Sequence, residues 1–318
     1  MKNIVIRLLF LISVAGLLPL QHSCNEKAGA KENPEQVAAL AEPVLLSDEF
    51  KQYWYAGKAE LCSYDLMQAR YGEIHEGSAV TIFVTEDFSK SKQVKLDNPQ
   101  TAGNDKLPVL KLNLIKKFNT GIYPYSIMMS VFSPVDIGNY PNAVKVTANV
   151  QEWCGMSFMQ LNKQESTFEM NSYSYFEKEG DQSATFKSCI PEDQLWNLIR
   201  LSPGRLPVGK QQLLPGSLYT RLTHIPLSVQ AAVLTLQDEG TVSIYTIDYT
   251  TQKHTITIRF EKSFPHIILG WEEPFPGFDG QLLTTTATLT KTLMSDYWAH
   301  HNNSDRVMRE QLGLSPDL

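Results

Sequence analysis

Nothing in this 318-residue chain runs strongly basic: 28 Lys and Arg stand against 34 Asp and Glu, for a formal charge of −6. Without a cluster of cations there is no electrostatic footprint for nucleic acid, and none for docking on anionic lipid. Cysteine is scarce. The four residues are Cys24, Cys62, Cys154 and Cys189. That is too few for a disulfide framework, and the three beyond Cys24 cannot all pair. In an oxidising compartment one bridge is possible, and Cys154–Cys189 is the expected pair. Long apolar runs are missing as well. Leu8 through Leu18 is well short of the ~20 residues that span a bilayer as a helix.

Signatures of catalysis are missing too. Gly204-Arg205-Leu206-Pro207-Val208-Gly209-Lys210 approaches a phosphate loop. Gln211 stands where the Mg²⁺-binding hydroxyl is needed, and the flanking prolines read as a connector. His300 and His301 are adjacent, so their rings point to different faces, and no metal site is expected. Asn302-Asn303-Ser304 reads as a helix cap rather than a glycosylation site. Cys154 has no histidine at a telling spacing and is expected to be a buried structural cysteine beside a core tryptophan. The carboxylates Glu152, Glu177, Glu179, Glu272 and Glu273 show no pairing of the glycosidase kind, which requires two acids facing across a cleft. No cofactor is implied.

What is present begins at the N-terminus. Lys2 and Arg7 precede the Leu8–Leu18 stretch, Pro19 ends it, and the small Ser23 stands just before Cys24. This is the pattern of a lipoprotein signal peptide over residues 1–23, with Cys24 as the acylated residue. Gln21 departs from the Leu-like residue usual three positions before that cysteine, which leaves ordinary secretion as the alternative. Two or more acyl chains hold a protein on a membrane where one binds reversibly. Residues 24–44 are polar and small, a flexible tether. Cleavage would remove Lys2 and Arg7 and take the formal charge from −6 to −8. The expected location is the cell envelope, with the membrane as partner through the lipid.

Residues 45–318 read as an antiparallel β domain. Val109–Leu114, Val144–Val150 and His254–Phe260 alternate with period two, one face buried and one wet. Ala79–Thr85 is rich in β-branched residues. Val242–Tyr249 and His254–Phe260 form a hairpin, Ala232–Thr241 is the turn leading into it, and Thr284–Leu289 closes the sheet. Helices are expected at Pro191–Arg200, at Asp305–Leu312 with Ser304 as cap and Gly313 as stop, and at Leu293–His300. The Pro/Gly-rich stretch 201–216 is either a boundary between two β halves or a long loop. The fold expected is a large, curved antiparallel sheet with a few peripheral helices, wrapped round a packed core or an apolar groove. The aromatic groups Tyr53-Trp54-Tyr55, Tyr123-Pro124-Tyr125 and Tyr173-Ser174-Tyr175-Phe176 read as cross-strand packing.

Several of these stretches carry a resemblance. Tyr53–Glu60, Gln68–Glu73, Phe83–Phe88, Phe118–Ser126, Gln151–Gly155, Ser174–Glu177 and Leu269–Glu273 resemble a family of uncharacterised gram-negative envelope lipoproteins. The likeness runs from about residue 46 to the C-terminus. That family carries the label "septum formation inhibitor Maf". True Maf proteins are cytoplasmic nucleotide pyrophosphatases with an N-terminal Ser-Pro-Arg-Arg motif on an α/β fold. The nearest approach here is Ser202-Pro203-Gly204-Arg205, mid-chain, so the resemblance implies an envelope lipoprotein and brings no catalytic residue. More loosely, the late hairpins look like periplasmic half-barrels related to lipoprotein carriers.

The favoured expectation is a non-enzymatic, lipid-anchored envelope domain that binds an apolar or amphiphilic ligand, or an envelope protein. Its pocket would be lined by Trp153, Cys154, Trp271 and Glu272. The alternatives are a hydrolase using Cys154 or one of Glu152, Glu177, Glu272 and Glu273, and a structural partner with no ligand.

Overall fold

In the computed structural model the described residues are 46–187, 189–251, 254–276 and 281–315. Cys24, the signal segment and the tether lie outside them. The first hairpins are long because their sequences alternate over long stretches. They run β1 Ala59–Arg70, β2 Glu73–Ser89, β3 Lys106–Thr120 and β4 Tyr123–Pro134. Shorter strands follow: β5 Lys145–Glu152, β6 Gly155–Lys163, β7 Thr167–Ser174, β8 Gln182–Lys187 and the two-residue β9 Ile190–Pro191. The chain then makes β10 Gly209–Leu214, β11 Gln230–Glu239, β12 Val242–Tyr249, β13 His254–Glu261, β14 Ile268–Pro276 and β15 Leu282–Ser295. Four helices join them: α1 Asp48–Trp54, α2 Gln194–Leu201, α3 Ser217–Thr223 and α4 Val307–Gln311.

All fifteen strands form one sheet, in the order β8-β7-β6-β5-β4-β3-β2-β1-β15-β14-β13-β12-β11-β10-β9. Every pairing is antiparallel except β9 with β10. The fold is therefore mainly β, as the alternation implies. β15 pairs with β1 along most of its length and joins the two meanders. The sheet stays open between β8 and β9. Lys187 and Ile190 are nevertheless three residues apart in the chain, a reach of at most ~11 Å. Covalent continuity thus draws the two edges together, and the sheet curls into an incompletely closed barrel.

The interior is packed, and α2 fills much of it. Leu195, Trp196, Asn197, Ile199 and Arg200 are all buried, so this helix has no wet face. Its partners come from distant strands. The Asn197 amide donates to the Leu110 carbonyl of β3 at 2.8 Å, and Trp196 meets Trp271 of β14 edge-on at 5.1 Å. The helix therefore lies within the curl of the sheet and not at its periphery. Arg200 grips Glu60 of β1 with both terminal nitrogens, one at 2.6 Å, and its Nε donates to the Pro265 carbonyl at 2.9 Å. Burial alone would raise Glu60, but Arg200 outweighs it and holds the carboxylate below its ordinary range.

Several local expectations differ from the structure. Tyr53 and Trp54 belong to α1 rather than to a strand, with Ser47 Oγ capping that helix at 3.0 Å. Ala232–Thr241 is mostly strand β11. Leu293 and Met294 continue β15, and only Tyr297–Ala299 turns. The reciprocal Asn302/Asp305 box caps the 3-10 turn Asn303–Arg306 that leads into α4, and Ser304 lies within that turn rather than capping the helix. Segment 201–216 is not one long loop, because it contains strand β10, which pairs with β11. The β12/β13 hairpin is as expected, although Gln252 and Lys253 of its turn lie outside the described residues.

Candidate functional site

α3 is short, and its ends are held by the residue ahead of α2 and by β1. At its start the Ser217 N–H donates to both Asp193 oxygens, at 3.1 and 3.2 Å. At its end the Leu222 carbonyl accepts from Arg70 of β1. Pinned in this way, α3 stands off the inner face of β5–β8. The space between is a cleft of about 620 Å³. Its floor is apolar, with Ala148, Val150, Met159 and Met170 from alternate positions of three strands, and Ile225 and Leu227 beyond the helix.

The mouth of the cleft is charged. Arg221 of α3 donates through Nε to Ser157 Oγ at 2.5 Å, and through Nη1 to Glu179 Oε1 at 3.3 Å. Its guanidinium lies 4.7 Å from the centre of the Phe176 ring. His224 Nδ1 is 2.7 Å from the same Glu179 oxygen, and Glu152 approaches Arg221 at 4.0 Å. Partial burial acts to raise Glu179, but bonds from Ser174, His224 and Arg221 outweigh it and hold the group below the usual carboxylate range. An apolar floor with a few convergent polar groups at one end is the general form of a small-molecule site.

Behind α3 lies a second group of ionisable residues, sealed from solvent. Glu192 and Asp193 precede α2, and Glu273 and His254 come from β14 and β13. Burial pushes Glu192 up to about 8, despite a 2.6 Å bond from the Tyr249 hydroxyl. Burial likewise pushes Asp193 up to about 6. His254 stacks between Tyr219, 3.4 Å centre to centre, and Tyr249 at 5.3 Å. Its Nε2 is 3.7 Å from Glu273 and 4.0 Å from Glu192. Burial nevertheless lowers its pKa, so the ring is neutral and these contacts are not salt bridges. Buried Lys116 is lowered by the same cause, with Glu273 acting against it. Gly216, just before α3, has no room for a side chain, since a Cβ there would sit 2.5 Å from Glu192 Oε1.

The four residues expected to line a pocket do not come together. Trp153 and Cys154 form the two-residue turn between β5 and β6, and both are exposed. The Cys154 N–H donates to the Tyr123 hydroxyl at 2.8 Å. Cys154 is therefore neither a buried cysteine nor the partner of Cys189, which is free and buried. Trp271 sits in the core against Tyr64 and Trp196. Glu272 points the other way and pairs with Arg259 at 2.5 Å. Period-two alternation already separates Trp271 from Glu272 and places Glu273 inside. Of the remaining acids, Glu177 lies exposed at the rim of the cleft, beside Glu179. His300 pairs with Asp296 at 3.1 Å, and no metal-holding group occurs among the described residues. Sequence reasoning missed Arg221, His224, Glu192, Asp193 and His254. Glu192 and Asp193 carried a signal as acids at a helix start, and His254 carried one through alternation, in phase with Ile256, Ile258 and Phe260.

No family model matches this chain, and no curated protein matches it. A solved structure of a β-barrel-like protein of a domain of unknown function (DUF1849) from Brucella abortus is similar at a TM-score of 0.43 and 10% identity. The similarity covers 74% of this chain and 98% of that one.

Proposed function

We propose that this chain is a non-catalytic binding protein of the cell envelope, held to a membrane by acyl chains on Cys24, whose cleft takes an amphiphilic ligand. The observation that carries the binding reading is the cleft between α3 and β5–β8. It has about 620 Å³ of space, an apolar floor and an Arg221/Glu179/His224 cluster at one end. The apolar portion of the ligand would lie on Ala148, Val150, Met159 and Met170. Its polar end would exchange hydrogen bonds with Arg221 and His224. The tether rests on the sequence around Cys24 and on the family resemblance.

Hydrolysis has less support. Cys154 is on an exposed turn, and its hydrogen-bond neighbour is a tyrosine rather than a histidine. The buried acids Glu192, Asp193 and Glu273 lie behind α3, where no described cleft reaches them.

Native mass spectrometry of the full-length protein, released gently from its membranes, tests the ligand. A bound amphiphile is expected, and it should be lost in Ser172→Trp, which projects a ring into the cleft. A protein that carries none, and that takes up no added lysophosphatidylcholine, overturns the ligand reading. Intact mass tests the tether separately, because an unmodified Cys24 overturns the anchor and leaves the cleft untouched.

A further inference from the structure

Large apolar side chains are exposed mainly at one end of the barrel. In an antiparallel meander every second turn lies at the same end. The turns β1–β2, β3–β4, β5–β6 and β7–β8 therefore form a row, neighbouring turns being two strands, about 10 Å, apart. They carry Tyr71, Ile122, Trp153 and Tyr175, with Met156 beside Trp153. Ile122 is 84% exposed, Trp153 65% and Tyr175 67%. β15 begins at the same end, since Thr286 pairs with Met67 near the end of β1, and it places exposed Leu282 there. Turn chemistry makes the projection firm. Tyr71 and Gly72 both have positive φ, a type I′ turn, and Gly121 has positive φ in front of Ile122.

The opposite end differs. There the connections after β2, β4 and β6 present Lys90, Lys92, Asn139, Asn142, Gln164 and Glu165. Val94 and Tyr140 are the exposed large apolar residues among them, and Tyr55, Trp298 and Val307 are exposed nearby, where β1 begins and β15 ends; these sit singly among polar residues and form no row of turns.

We infer that the row of turns bearing Tyr71, Ile122, Trp153, Tyr175 and Leu282 docks on a lipid bilayer, inserting its side chains at the headgroup boundary. Three observations favour a bilayer. Trp and Tyr beside aliphatic residues are the side chains that settle at a membrane interface. The apolar groups sit on separate turns rather than in one flat patch. A fluid surface accepts such spaced insertions, whereas a protein partner needs a matching pocket for each. The cleft also opens here, because Tyr173 and Phe176 of the β7–β8 region line it. The rim carries Glu73, Glu152, Glu177, Glu179 and Asp181 against Lys178, so its turns are acidic on balance. Attachment therefore comes from burial of apolar surface in neutral lipid and not from charge. It depends neither on acylation of Cys24 nor on a filled cleft.

Cys154 provides the probe. Among the described residues it is the exposed thiol, while Cys62 and Cys189 are buried. The full chain with Cys24→Ser, which removes any acyl anchor, is labelled at Cys154 with an environment-sensitive fluorophore. It is then mixed with phosphatidylcholine vesicles. The label is expected to shift to the blue and to be quenched by nitroxide-bearing lipid, and added salt should not weaken the effect. A label at the opposite end, on Ser91→Cys in a Cys24→Ser/Cys154→Ser background, should stay in water. Ile122→Asp with Tyr175→Asp should cut the lipid-quenched signal about tenfold or more, since each removes an exposed apolar side chain that the bilayer would bury, with the circular dichroism unchanged. A Cys154 label that stays in water while the chain rides on vesicles overturns the inference. So do rim variants with no effect, or a rim that pairs with a second copy of the chain in light scattering.

Discussion

The buried carboxyl of Glu192 makes the stability of this barrel depend on pH in a direction opposite to most carboxylates. Burial pushes its pKa to about 8 from an ordinary 4.5. A carboxyl whose folded pKa lies above its unfolded value holds its proton more tightly when folded. The stability it contributes is complete below the unfolded pKa and is lost as pH rises through about 8. Asp193, pushed to about 6, acts in the same sense but is spent by that pH. His254 and His266, both lowered by burial, act oppositely and only up to their ordinary value of 6.5. The interval above that value therefore belongs mainly to Glu192. At about 1.4 kcal/mol per pH unit, the loss from about pH 6.5 to pH 8 is roughly 1.5–2 kcal/mol. For a domain of this size that is a fall in Tm of roughly 3–6 °C. Glu192→Gln keeps the shape and an oxygen for the Tyr249 hydroxyl, but it cannot titrate. Thermal unfolding of both proteins across this range gives the difference, in which the other groups cancel. The wild-type Tm should fall relative to the variant. Parallel profiles, or a wild-type Tm that rises relative to the variant, would refute the assignment of a protonated Glu192.

Other outcomes follow from the same packing. Arg200→Met leaves Glu60 buried without its partner and should cost about 3–5 kcal/mol in denaturant unfolding, part of it regained when Glu60→Leu is added. In the native protein maleimide should modify Cys154 promptly. Cys62, whose thiol burial pushes up to about 12, and Cys189, also raised, should react only after unfolding. A thiol count on the full chain then reads one if Cys24 is acylated and two if it is free. Gly216→Ala should force Glu192 aside and loosen α3, seen as faster hydrogen exchange over 217–223 and a loss of about 1–3 kcal/mol.

Alternation along β3, β5, β12 and β13 was enough to read a sheet with one buried face. That pattern is local, because each strand meets water on one side whatever its neighbours are. The extent of the helices was less legible. α3 spans seven residues, too few for a 3.6-residue period to show, and Asp193 ahead of α2 and Arg70 of β1 hold its ends. Trp153 and Cys154 were misread because aromatic residues are usually core, yet they occupy a two-residue turn. Trp271 and Glu272 were misread together, although neighbours on a strand face opposite ways.

What the sequence determined by itself is the strands β2, β3, β5, β12, β13 and β15, the β12/β13 hairpin, and the near-absence of any basic or catalytic signature. These depend on residues close together in the chain. Only the tertiary structure decided that Arg200, Glu192 and His254 lie in the dark interior, and that Arg221, His224 and Glu179 meet at the mouth of a cleft. It also decided that Tyr71, Ile122, Trp153 and Tyr175 share one rim. Burial and meeting points of this kind arise when fifteen strands curl and bring into contact residues as far apart in the chain as the 42 positions between Glu179 and Arg221 or the 140 between Glu60 and Arg200, and no short stretch of sequence records that.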